Sequence, residues 1–81
     1  MKTNSADLLE KINEAKQEFQ NNTFFLANII KCNPYTRSII AEVFDDSGHV
    51  LGMRLMIDYE IPDMEARVCM GQGPTYVSVF F

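Results

Sequence analysis

The stretch SADLLEKINEAKQEFQ, residues 5–20, decides the first half of the fold. Leu8, Ile12, Ala15 and Phe19 recur at helical spacing with Leu9 beside them, and the opposite side carries Glu10, Lys11, Asn13, Glu14, Gln17 and Glu18. That stripe predicts an amphipathic helix with one apolar face to bury. Thr3, Asn4 and Ser5 are all N-cap types, and Asp7 falls in the first turn, where the helix dipole favours a carboxylate. The run Gln20-Asn21-Asn22 predicts the end of the helix, because Asn tolerates the left-handed conformation of a C-cap.

Outward from that helix the chain reads as strands and turns. Residues 23–32 form a long apolar run with Phe24, Leu26 and Ile30 on one alternating face and Phe25, Ala27 and Ile29 on the other. Asn33-Pro34 reads as a turn, residues 35–45 as a strand bearing Tyr35, Ile39, Ala41 and Val43, and Asp45-Asp46-Ser47-Gly48 as a hairpin turn. Residues 49–59 alternate most clearly, with Leu51, Met53, Leu55, Ile57 and Tyr59 on one face against Gly52, Arg54 and Asp58. After the break at Ile61-Pro62-Asp63, residues 64–70 place Met64, Ala66, Val68 and Met70 on one face. Gly71-Gln72-Gly73-Pro74 is a turn, and residues 75–81 set Val77, Val79 and Phe81 against Tyr76, Ser78 and Phe80. Short connections favour antiparallel neighbours. The expectation is a single α+β domain over residues 1–81, one N-terminal helix packed on a four- to five-stranded antiparallel meander sheet. The alternative is a small, partly closed barrel capped by the helix.

Composition narrows the function classes. At 81 residues the chain has room for one domain, and its 47% apolar and 22% charged residues are ordinary for a globular one. A net charge of −4 repels phosphate backbones and anionic lipid, and the seven Lys and Arg residues are scattered. No nucleic acid and no membrane partner is expected. The first residues lack an apolar core, and no apolar run approaches a membrane span, so the expected location is the cytoplasm, with Cys32 and Cys69 as free thiols.

The chemistry-bearing residues do not form a motif. His49 is the single histidine, and Cys32, Cys69, Asp45 and Asp46 are not spaced as a nucleophile, base and orienter, so an exposed turn histidine is the reading and no enzyme is expected. Asp58, Glu60, Asp63 and Glu65 flank Pro62 without the pattern of a calcium loop, so no metal is assigned. Gly71-Gln72-Gly73-Pro74 precedes a strand and lacks one N–H at Pro74, unlike a phosphate cradle, so no cofactor is assigned.

An excess of apolar groups is the feature that calls for a function. If Leu51, Met53, Leu55 and Ile57 face the helix, the opposite sheet face carries Val50 and Met56. Neighbouring strands add Ile40, Phe44, Tyr76, Phe80 and one of the Phe24 and Phe25 sets. A patch of that size predicts an interaction surface. The expectation is a small acidic binding protein acting through an apolar sheet face or edge, self-associating as a homodimer or binding another protein. Inhibitors of the type encoded by phages and mobile elements are the analogy. The alternative is a nucleotide-like ligand held between subunits, with Arg37, Arg54 and Arg67 as anion contacts.

Overall fold

The computed structural model describes residues 5–71 and 73–81. The cap candidates Thr3 and Asn4 and the turn residue Gln72 lie outside them. Helix α1 spans Ser5–Thr23 and buries Leu8, Ile12, Ala15 and Phe19, the four residues of the apolar stripe. It runs past Asn21 and Asn22 to Thr23, whose hydroxyl donates to the Phe19 carbonyl at 2.8 Å and accepts from the Phe25 N–H at 3.2 Å.

Strand β1 (Ile29–Cys32) is followed by helix α2 (Pro34–Ile40) and a 3-10 turn at Ala41–Val43. Strands β2 (His49–Val50), β3 (Met53–Ile57), β4 (Glu65–Cys69) and β5 (Tyr76–Phe80) complete a five-stranded sheet in the order β2-β3-β1-β4-β5. The helix-on-sheet α+β architecture is the expected one. The sheet is open rather than a barrel, and it is mostly antiparallel. Its departure from a meander is the β1–β3 pair, which is parallel, with Ile30 beside Leu55 and Cys32 beside Ile57.

That departure has a local cause at Asn33-Pro34, which opens a helix instead of a turn between strands. The Asn33 side-chain oxygen accepts from the Thr36 N–H at 2.8 Å, and Pro34 takes a first-turn position, where its missing N–H costs nothing. Thr36 and Ile40, four apart, are buried together. The segment expected as a strand at 35–45 is therefore the helical crossover that a parallel strand pair requires. The hairpin turn is likewise displaced. Leu51 and Gly52, with φ of 50° and 80°, form the two-residue connection of β2 to β3. The Leu51 carbonyl accepts from Lys16 Nζ at 2.8 Å, which ties this strained turn to α1.

The core lies between the helices and one sheet face. Val50, Met53, Ile30, Cys32, Ala66, Val68 and Val79 are buried with Ile40 of α2 and with Ile12, Ala15 and Phe19 of α1. Cross-strand register assigns Cys69 to the other face, beside Ile29, so the two thiols lie on opposite sides of the sheet and are free. Over the top of β1, the 58–64 connection is fastened at several points. The Asp58 N–H donates to the Cys32 carbonyl at 2.9 Å, Asn33 Nδ2 to Asp63 Oδ1 at 2.6 Å, and the Met64 N–H to the fully buried Thr36 hydroxyl at 2.9 Å.

Ile30, in the middle of the central strand, is fully buried. Ile30→Ala is expected to cost about 2–5 kcal/mol, a large share of a small domain's stability, as measured by denaturant unfolding.

Candidate functional site

Strand β5 ends the sheet. The other edge strand, β2, has two residues, whereas β5 has five, Tyr-Val-Ser-Val-Phe, with no charge and no proline among them. Its direction of hydrogen bonding follows from one bond and the ladder rule. The Phe81 N–H donates to the Met64 carbonyl at 2.9 Å, and Phe80 pairs with Glu65, Val79 with Ala66 and Val77 with Val68. Antiparallel ladders alternate, so Val77, Val79 and Phe81 turn their backbone groups to β4, and Tyr76, Ser78 and Phe80 turn theirs to the open edge. The same three residues place their side chains on the sheet face that no helix covers.

Around that edge the surface is shaped and partly apolar. Phe80 is 65% exposed and Tyr76 49%. The Tyr76 ring lies under the Arg67 guanidinium, 4.7 Å from carbon to centroid. Arg67 is in turn ion-paired through Nε to Glu65 Oε2 at 2.9 Å, a bond that raises its pKa further, and the Ser78 hydroxyl donates to the same oxygen at 3.3 Å. Side chains of β4 thus hold the outer groups of β5 in place. On the helix side an open groove of about 300 Å³ runs between β5 and α1, lined by Lys11, Glu14, Ala15, Glu18 and residues Val77 to Phe80.

The other surface candidates separate into three groups. Ile40 and Val50 are fully buried and are no part of any surface: α2 turns Ile40 into the core, and pairing with Met53 puts Val50 on the helix-covered face. Phe44 is half-buried against the core under the Arg37 guanidinium, 5.6 Å from its ring centroid. Phe24, Phe25 and Met56 are exposed, with Leu26 of the Phe24 set, and Tyr35, Ile57 and Tyr59 join them as exposed apolar groups that the strand alternation did not place there. Phe24 stands out, being 89% exposed with φ at 64°. It terminates α1 in the left-handed conformation usually filled by Gly, its N–H donating to the Gln20 carbonyl at 2.8 Å.

Of Arg37, Arg54 and Arg67, only Arg67 lines the cleft near Tyr76. Arg37 lies on α2, Arg54 on β3 and Arg67 on β4. The cleft near Arg67, lined by Lys31, Asp58, Cys69, Gly73 and Tyr76, holds about 70 Å³. That is well short of the roughly 300 Å³ at which small-molecule pockets begin.

The acid-base candidates form local turn chemistry. Asp45 Oδ1 accepts from the N–H groups of Ser47 and His49, both at 2.9 Å, and from the Ser47 hydroxyl at 2.7 Å. These bonds, the His49 N–H first, hold its carboxyl below the usual range. His49 Nδ1 lies 2.9 Å from the Ser47 oxygen and 3.2 Å from its carbonyl. Because Asp45 takes the hydroxyl proton, the imidazole meets the wrong side of Ser47 to act as its base. The carboxylates near Pro62 diverge. Asp58 caps the Glu60 N–H at 3.0 Å, Asp63 accepts from Asn33, and Glu65 pairs with Arg67. Among the described residues no group of three or more His, Cys, Asp and Glu is gathered for a metal.

Comparison with protein-family models, with curated proteins and with solved structures finds no match. Among the described residues no helix is long and apolar enough to cross a membrane.

Two outcomes follow from this geometry. Phe24→Gly relieves a left-handed backbone and sacrifices little burial, so it is expected to stabilise the fold by about 0.5–1 kcal/mol in thermal or denaturant unfolding. A fall in stability would mean that Phe24 is packed in solution. Burial pushes the Cys32 thiol up from 9.0 to about 11, against a smaller opposing effect of Arg37. The protonated thiol is thus favoured by folding. Its contribution is complete below pH 9 and is lost as pH rises toward the folded value near 11. Alkylation of Cys32 at neutral pH is expected to be ~100-fold slower than that of an exposed thiol, and the alkaline loss of stability to shrink in Cys32→Ala.

Proposed function

We propose that the protein is a non-enzymatic binding protein that acts by association, taking a further strand of protein onto the β5 edge. The observation that supports this most is the edge itself: five uncharged residues with three outward-turned backbone units, exposed Tyr76 and Phe80 and a groove beside α1. Edge strands of stable monomers are usually short, bent away, or guarded by Lys or Pro. β5 carries none of these devices. Strand addition satisfies the outward N–H and C=O groups, and the side chains on either face supply selectivity. The cleft beside Arg67 is too small to favour the ligand-binding reading.

Amide hydrogen exchange read by NMR on the protein as isolated, without a denaturing step, tests this reading. Val77 and Val79 should be protected by β4 in any state. Tyr76, Ser78 and Phe80 should be protected about as well, because a partner strand holds them. Exchange of those three at the rate of a free chain would show the edge bare and overturn the reading.

A further inference from the structure

We infer that the strand received at the β5 edge is the β5 of a second copy, paired antiparallel about a two-fold axis through Ser78. This rests on the association proposed above and names its partner.

The sequence of the edge is nearly the same read in either direction. Around Ser78 stand Val77 and Val79, then Tyr76 and Phe80. An antiparallel two-fold pair matches residues symmetric about its centre. Ser78 meets Ser78 of the second copy, Val77 meets Val79, and Tyr76 meets Phe80. Each match is of like with like, and aromatic and β-branched cross-strand pairs are the favourable ones.

Backbone direction selects the same centre independently of the side chains. Only Tyr76, Ser78 and Phe80 offer N–H and C=O groups outward. Centred on Ser78, all three lie in hydrogen-bonded positions on both copies, giving a ladder of about six bonds. Centred on Val77, Phe80 is set against Pro74, which lies outside the strand, and about four bonds remain. Centred on Val79, Tyr76 lies past Phe80, the last residue of the strand, with the same loss. A slip by one residue sets outward groups against inward ones. The register with the most bonds and the register with the best side-chain matches therefore coincide.

Such a contact is isologous and closed, so two copies remove both long edges and leave no β5 to recruit a third. The two α1 helices then lie on one side of a continuous sheet, antiparallel across the seam, with Val77 and Val79 of the incoming strand entering the groove.

Charge placed on the axis tests the register without breaking the monomer. Ser78 turns its N–H away from β4, so Ser78→Lys keeps the β4–β5 ladder and gains Glu65 as a neighbour. In the dimer it sets two Lys residues directly opposite. Sedimentation equilibrium over about a hundredfold range of concentration should find wild type at twice the 9.3-kDa chain mass. Ser78→Lys and Ser78→Glu should each shift to the monomer, with dissociation constants raised at least ~10-fold, and their mixture should recover the dimer. A Ser78→Cys variant should cross-link to itself on mild oxidation, because a hydrogen-bonded pair sets Cα atoms about 5.5 Å apart. Val77→Cys should not. Wild type that stays monomeric while its edge amides are protected by another chain overturns this inference and leaves strand addition standing. A dimer indifferent to both charge variants and without the Ser78→Cys cross-link also overturns it. A monomer with unprotected edge amides removes both.

Discussion

The structure depends on the placement of β1 at the centre of the sheet. It is four residues long and hydrogen-bonded on both sides, parallel to β3 and antiparallel to β4. A parallel neighbour cannot be reached by a tight turn, so the chain between β1 and β3 has to cross over, and α2 with its 3-10 turn is that crossover. Asn33 secures the crossover at its start. It caps α2 through its side-chain oxygen and reaches Asp63 through its nitrogen, so one residue fastens both the loop leaving β1 and the loop passing above it. With β1 central, β3 and β2 occupy one side and β4 and β5 the other, and β5 is necessarily outermost.

Much of this was legible from residues that act locally. The stripe of Leu8, Ile12, Ala15 and Phe19 is long enough for its period to be unmistakable, and all four are buried. The late strands were also visible, because Val77 and Val79 alternate with Tyr76, Ser78 and Phe80 over a full strand length. Helix α2 was not, for a physical reason. It has seven residues, under two turns, and across it and the 3-10 turn Tyr35, Ile39, Ala41 and Val43 imitate a strand as well as Thr36 and Ile40 mark a helix. The available signal was Asn33-Pro34 read as a cap followed by a first-turn proline. Val50 was misplaced because residues 49–59 read as one strand, whereas the chain folds back at Leu51-Gly52. The pairing order lay beyond local reading altogether, since β1 with β4 joins residues far apart in the chain.

The site divides along the same line. Exposure of Tyr76 and Phe80 followed from strand alternation, but their importance comes from β5 being an edge, which only the sheet order reveals. Ile40 and Val50 were assigned outward from neighbours that turned out to belong to different elements. Phe24, left of β1 in the chain, keeps a large apolar side chain in a conformation that resists it. Such conflicts between local preference and structure gather at functional or strained sites.

Charge favours an edge over a face for the association we propose. The uncovered sheet face carries Lys31 directly across from Arg67, with Arg54 on the neighbouring strand. Stacking that face against a second copy would bury several cations, of which, among the described residues, only Arg67 is ion-paired, to the adjacent Glu65. Removing such charges from water without partners is costly. Addition of a strand at β5 leaves Lys31, Arg54 and Arg67 in water and covers the backbone groups of Tyr76, Ser78 and Phe80. For the association we propose, the cations therefore favour the edge, where Arg67 keeps its place over Tyr76.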